Sequence, residues 1–302
     1  MNKIIPHLWF NTDAEEAVRF YTSLIDGSSI GNVSRYGTEG FEVHHMPEGT
    51  VMTVSFTLAG QSFMALNGGP AFTFNPSISF HLKCKTEAEV DALWEKLIVG
   101  GTALMELGSY PFSKRYGWLK DKYGVSWQII HVGDAPMAQR ITPVLMFVGP
   151  LAGKCEEAVN FYVSLFKNSK VQMISRYGKG MEPDKENSVN YMSFVLDNTE
   201  FGAMDSAHEH NFAFNEAISF LVNCANQEEV DYFWQALTAN GGEASVCGWL
   251  KDKYGVSWQI IPRQLGTLMA NPDPKVAGNV MKAMLSMKKI IISDLVKAAD
   301  AS

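Results

Sequence analysis

The sequence predicts an α+β protein built from four βαβββ units, two in each of two tandem halves, followed by a helical tail. Three observations predict it. The stretch GWLKDKYGVSWQII occurs twice, at residues 117–130 and 248–261, letter for letter. Shorter segments recur around it in the same order: AEEAVRFY at 14–21 against CEEAVNFY at 155–162, SRYG at 34–37 against 175–178, and NPSISF at 75–80 against NEAISF at 215–220. Within each half, a strand, a helix and three strands are followed by the same series again. Repetition of this kind sets the architecture before any single element is considered.

Each element has its own local reason. Residues 3–10 form an apolar strand, and a helix begins near Thr12-Asp13 with acids in its first turn, where the helix dipole favours them. Ala17, Phe20, Tyr21 and Leu24 recur on that helix at helical spacing. Strands follow near 29–36, 51–59 and 61–66. The second unit opens with a strand at 77–84 and a helix at 87–97, whose Val90, Leu93, Trp94 and Leu97 share one face. Three more strands end in the duplicated stretch. There Asp121-Lys122-Tyr123-Gly124 reads as a tight turn with Gly124 left-handed, and residues 125–130 are rich in β-formers. The second half repeats the pattern from its first strand at 141–148. The expected division is 1–132 and 141–262, with a linker at 133–140 and an extension at 263–302. In that extension Val276, Val280, Met284, Met287 and Ile291 fall on one stripe, which predicts a single amphipathic helix packed on the body. The alternative for this Met-rich stripe is a homodimer contact.

The chain has 302 residues, 46% hydrophobic and 19% charged, as an ordinary globular protein does. Its net charge of −7 argues against nucleic acid and anionic membrane as partners. No apolar run approaches the roughly 18 residues of a membrane span, and the N-terminus lacks the apolar core of a signal peptide. The four cysteines show no CxxC spacing, and Cys84 and Cys224 occupy matching strand positions as small buried hydrophobes. Reduced thiols and a cytoplasmic location are the expectation.

The EEAVRFY helix, the SRYG strand, Gly-Gly before a strand and the YGxxxDxxGxxWQ pattern together resemble the PhnB-like branch of the vicinal-oxygen-chelate (glyoxalase/bleomycin-resistance/dioxygenase) superfamily. Its members often carry a 3-demethylubiquinone-9 3-methyltransferase label. The resemblance covers about residues 3–131 and 141–262, and the extension also resembles that of tandem members. It implies curved mixed sheets, a small-molecule cavity and, in the enzymes, a divalent metal held by His and carboxylate groups acting as a Lewis acid.

Carried over position by position, the last-strand carboxylate falls on Gln128 and Gln259, and the fourth-strand acid at about Ala65 and Ala203. The first-strand His falls near Ile5 and Thr142, and the fifth-strand His near Ser79 and Ser219. An amide is a weak ligand and Ala is none, whereas a catalytic metal needs about three protein ligands. No tightly bound metal and no other cofactor is expected, a weakly held divalent ion being the alternative.

His7 and His81 lie two residues beyond the expected His positions, on the same strand face, and stand as candidate acid/base or substrate-contact residues. The second half has Val144 and Leu221 there. The plain alternative is two core histidines, in different pockets if the halves exchange units. Trp9 shares the face of His7. The first half carries an extra segment, about 105–116, expected to bring Tyr110, Ser113, Lys114 and Arg115 to one rim beside Trp118. Aromatic walls with one Arg suit a planar or anionic ligand. Trp9, Tyr110, Arg115, Trp118, Gln128 and Gln259 are therefore the candidate ligand-binding residues, against a plain edge hairpin with a solvated tip.

The leading reading is a small-molecule-binding protein whose more specialised pocket borders the first half. The rivals are a His-based or metal-dependent lyase, isomerase or dioxygenase, and a methyltransferase. The last is disfavoured by the absence of GxGxxG or any comparable S-adenosylmethionine loop.

Overall fold

A computed structural model describes residues 2–301. The first unit comprises β1 (Ile4–Phe10), α1 (Ala14–Leu24), β2 (Ser29–Arg35), a short α2 (Phe41–His44), β3 (Val51–Leu58) and β4 (Gln61–Asn67). The second comprises β5 (Ile78–Cys84), α3 (Glu87–Leu97), β6 (Thr102–Tyr110), β7 (Ser113–Lys120) and β8 (Ser126–His131). The third comprises β9 (Ile141–Phe147), α4 (Cys155–Leu165), β10 (Lys170–Arg176), β11 (Val189–Leu196) and β12 (Thr199–Asp205). The fourth comprises β13 (Ile218–Cys224), α5 (Gln227–Thr238), β14 (Glu243–Ala244), β15 (Trp249–Lys251) and β16 (Ser257–Pro262).

The strands form two eight-stranded sheets, each drawn from both halves. The first runs β14-β15-β16-β13-β1-β4-β3-β2 and the second β10-β11-β12-β9-β5-β8-β7-β6. Units one and four share one sheet, and units two and three share the other. The seams are the antiparallel pairs β1–β13, with His7 opposite Ser219, and β5–β9, with His81 opposite Thr142.

Each strand of these mixed sheets has a helix-side face and an opposite, inner face. Leu8, Val54, Phe63 and Ala65 lie in the buried core beneath the helices, while Trp9, Thr53, Ser55 and Met64, on the other face, are only half-buried. The same alternation runs along β11, with Met192 and Phe194 buried and Tyr191 and Ser193 half-exposed. Each sheet thus has an inner face, its trough, that is less tightly covered along these flanking strands than the helix side.

The duplicated stretch explains how the two sheets are fastened. The Asp121 carboxylate accepts hydrogen bonds from Tyr21 Oη on α1 at 2.6 Å, Trp127 Nε1 at 2.9 Å, and the backbone N–H groups of Tyr123 at 2.9 Å and Val125 at 3.0 Å. Asp252 repeats all four contacts with Tyr162 on α4, Trp258, Tyr254 and Val256. Each Asp ties a helix packed under one sheet to a turn of the other. Gly124 has φ +92° and Gly255 φ +82°, the left-handed backbone that lets each turn close on its carboxylate.

Asp13 does not cap α1 with its side chain. Asn67, at the end of β4, accepts from the Ala14 N–H at 2.9 Å instead, and Asp205 does the same for Cys155 on α4 at 3.1 Å. The caps arrive from a distant strand, which local sequence does not reveal.

The extension folds differently from the single helix expected through Ile291. It forms α6 (Arg263–Met269), α7 (Pro274–Leu285) and α8 (Ile292–Asp300), with the chain breaking after Leu285. The break has a cause in the sheet edge. Met287 and Lys288 carbonyls accept hydrogen bonds from the Cys247 and Gly248 N–H groups at 2.7 and 2.8 Å, so the segment runs alongside the short β14–β15 hairpin. Lys282 on α7 pairs with Glu39 at 2.9 Å, in the loop after β2 at the opposite edge of the same sheet. The extension thus bridges both edges of the first sheet, where the fourth unit lacks the longer hairpin of the second. Met284 and Met287 pack on a small core of Leu265, Val280, Ile290 and Leu295, as the stripe implies. Among the described residues no helix is long and apolar enough to cross a membrane, and the four cysteines are unpaired.

Candidate functional site

His81, Gln128, Ser79 and Thr142 lie together on the inner face of the second sheet, where the register sets His81 between Gln128 and Thr142. Gln128 Oε1 accepts from His81 Nε2 and from Tyr116 Oη, each at 2.7 Å, and Gln128 Nε2 donates to Ser79 Oγ at 2.7 Å. An amide oxygen only accepts, so the His81 proton sits on Nε2 and Nδ1 carries a lone pair. Burial lowers the His81 pKa to about 4, so the ring is neutral at physiological pH. Its Nδ1 faces Tyr191 Oη at 3.5 Å, too long for a strong bond, and the two rings stack with centroids 5.4 Å apart. Thr142 Oγ1, beside His81, is buried with no hydrogen-bond partner.

Tyr191 reaches this site from the third unit because Gly202 leaves room. A Cβ at Gly202 would lie 2.8 Å from Tyr191 Oη and 3.1 Å from Val144 Cγ2. In the first sheet the corresponding residues are Thr53 and Met64, so the small and large partners are exchanged. That exchange between repeats is the signal that could have found Tyr191.

On the inner face of the first sheet lie His7, Trp9, Ser219, Gln259 and Trp249. Gln259 Nε2 donates to Ser219 Oγ at 2.9 Å, as Gln128 does to Ser79. His7 packs edge-on against Trp249 at 5.6 Å, and Trp249 against Trp9 at 5.8 Å, while Trp9 Nε1 donates to the Gly69 carbonyl. Burial holds the His7 pKa at about 3. His7 and His81 therefore occupy different sheets and cannot act on one molecule as a pair.

The sequence-derived candidates divide accordingly. His81, Gln128 and Trp118 share one trough, with Trp118 Nε1 donating to Ser126 Oγ at 2.7 Å. His7, Trp9 and Gln259 share the other. Tyr110 only borders the second trough: its ring stands edge-on to Tyr116 at 5.4 Å, and its hydroxyl donates to the Glu106 carbonyl. The expected rim of Tyr110, Ser113, Lys114 and Arg115 does not form. Arg115 turns to the helix side and pairs with Asp91 on α3 at 2.5 Å, because alternate residues of β7 face opposite ways. Ser113 is buried, its one hydroxyl proton shared between the Arg115 and His131 carbonyls. Ala65 and Ala203 also face the helices, so the inner positions of the fourth strands are held by Met64 and Gly202.

The donor set does not fit a divalent metal. Gln128 Oε1 already accepts two hydrogen bonds, and its neighbours are hydroxyls and one imidazole. Among the described residues no three His, Cys, Asp or Glu side chains converge as a metal site needs. A cavity of about 600 Å³ lies elsewhere, at the edge of the second sheet, lined by Gln139, Asn168, Lys170 and Glu200. The Gln139 amide there is fully used on the backbone of Ile141 and Glu200, so the cavity lacks the unpaired buried groups of the troughs.

A family model described as 3-demethylubiquinone-9 3-methyltransferase matches residues 2–130 and again 139–261. A PhnB protein from Bacillus cereus is 49% identical over 43% of this chain and 100% of its own, with a TM-score of 0.40. A mutant of glyoxalase I from Zea mays aligns over 87% of this chain and 95% of its own at 14% identity, with a TM-score of 0.52, a likeness of fold. A comparison with curated proteins gives no match. With both repeats matched, and most of the chain covered, the protein belongs to the 3-demethylubiquinone-9 3-methyltransferase family, as a tandem member with the glyoxalase-like fold.

Proposed function

We propose that this chain binds small molecules, and that the trough of the second sheet takes an uncharged aromatic compound bearing a hydroxyl group. One observation carries the reading. His81 Nδ1 and Thr142 Oγ1 are register neighbours, and both lack a good partner. A ligand hydroxyl placed there donates to the imidazole nitrogen in place of the long Tyr191 contact and accepts from the threonine. Tyr191 and Trp118 supply the apolar walls.

Binding suits these histidines better than turnover. A general base works best with a pKa near the working pH, and burial holds His7 at about 3 and His81 at about 4. No step through a metal or through S-adenosylmethionine is part of the reading.

The test is a phenol titration followed by tryptophan fluorescence. His81→Leu, which installs the residue of the fourth unit at this position, is expected to weaken binding about tenfold, the equivalent of one lost hydrogen bond of about 1.4 kcal/mol. His7→Val is expected to leave it unchanged. Equal affinity in wild type and His81→Leu overturns the reading.

A further inference from the structure

The two copies of GWLKDKYGVSWQII are identical in letters but not in hydrogen bonding. In the first copy the indole and the amide of the inner face have protein partners: Trp118 Nε1 donates to Ser126, and Gln128 Oε1 accepts from His81 and Tyr116. In the second copy the counterparts of His81 and Tyr116 are Leu221 and Cys247, which leave Gln259 Oε1 with no donor among the described residues. Trp249 turns onto His7 and Trp9, and so does not reach Ser257. Ser257 Oγ is buried without a partner, and the Trp249 indole N–H has none among the described residues. His7 Nδ1 is likewise buried and unpaired, and His7 is only 4% exposed.

These groups belong to one place. His7, Ser219 and Ser257 form a single row across β1, β13 and β16, and Trp249 stands directly opposite Gln259. Two of the four, His7 Nδ1 and Ser257 Oγ, are buried as well as unpaired, and a buried polar group left without a partner costs about 1–3 kcal/mol. Their chemistry defines what would satisfy them. Trp249 offers only a donor, Gln259 Oε1 only an acceptor, and neutral His7 one of each. None of the four is charged, and Lys251, which stands opposite Ser257, is already paired with Glu216 at 2.8 Å, so an ionic ligand would be desolvated there without compensation. Trp9 and Trp249 set flat apolar walls.

We propose that the trough of the first sheet is a second binding site for an uncharged planar heteroaromatic molecule presenting an N–H donor next to a carbonyl acceptor, the edge of a cyclic amide. The donor meets Gln259 Oε1 and the carbonyl meets the Trp249 N–H. His7 and Ser257 hold the remaining edge. The site is independent of the one read in the second sheet, and each can fail alone.

The probe is 2-pyridone, with benzoate as a charged molecule of similar size, titrated into the full-length protein. Binding is read from Trp fluorescence and from the ¹⁵N shifts of the His7 imidazole. Wild type and His81→Leu are expected to bind 2-pyridone alike. Trp249→Phe, which keeps the wall and removes the N–H, and His7→Val, the residue of the third unit, are each expected to bind at least tenfold more weakly. Thermal melts confirm that each variant is folded, and two independent substitutions guard against loss through misfolding. The proposal is overturned if wild type does not bind 2-pyridone, if both variants bind as wild type does, or if benzoate binds equally well.

Discussion

Asp252→Ala is expected to lower the stability of the protein by roughly 4 kcal/mol or more. The carboxylate is 2% exposed and accepts from Tyr162, Trp258 and two backbone N–H groups. Alanine orphans all four donors, at about 1–3 kcal/mol each, against a usual total stability of about 5–15 kcal/mol. Asp252→Asn keeps one acceptor oxygen but sets an amide donor against the Tyr162 and Trp258 donors, so an intermediate loss is expected. Urea unfolding of the three proteins checks the order. Asp121→Ala is expected to act alike, since Asp121 makes the same four contacts. A loss below about 1 kcal/mol in both alanine variants would show that the clasps do not fasten the two sheets.

Acidification from pH 7 to pH 5 is expected to expose the second large effect. His7 and His81 have folded-state pKa values of about 3 and about 4, below the ordinary 6.5. The unfolded chain therefore takes up protons before the folded one. The stability these groups contribute is whole above pH 6.5 and is lost progressively as pH falls from there to their folded values. Linkage puts the loss at pH 5 at about 2 kcal/mol for each, about 4 kcal/mol together. Asp252 works in the opposite direction. Burial raises its pKa from 3.8 to about 6, so lowering the pH relieves a buried charge and returns about 1.4 kcal/mol over the same interval. Comparing wild type with a His7→Val/His81→Leu double variant cancels that term. Wild type is expected to lose about 4 kcal/mol more unfolding free energy than the double variant between pH 7 and pH 5, and equal losses would contradict the burial of the rings.

The fold was legible in the sequence wherever a local pattern repeated. The duplicated hairpin, the EEAV helices and the alternation of the strands gave four units, and the structure places an element at each. What the repeat could not reveal is which unit pairs with which, because the seams β1–β13 and β5–β9 join residues far apart in the chain. The helix caps at Asn67 and Asp205 were hidden for the same reason. The extension misled because its apolar stripe continues past a helix end that is set by main-chain bonds to Cys247 and Gly248 rather than by its own side chains.

Of the site, the positions of Gln128 and Gln259 followed from the family resemblance, and those of His7 and His81 from that resemblance together with the two-residue period of a strand. Arg115 did not, since the register irregularities of β6 against β7 obscure which residues share a face. Tyr191 comes from the other half, and Trp249 is identical in sequence to Trp118 while making different contacts. No reading of a single copy could have separated those two indoles, because what differs lies outside the copy: Val144, His81 and Tyr116 in one sheet stand where His7, Leu221 and Cys247 stand in the other.

The central claim is that two chemically distinct troughs, one around each histidine, are each built from both halves of the chain. Long-range ¹H–¹⁵N NMR of the imidazoles during a phenol titration tests it most directly. The account predicts a neutral His81 protonated on Nε2, whose Nδ1 resonance moves with added phenol while His7 stays still. Two histidines that titrate near pH 6.5, or that respond together to the same ligand, would contradict it.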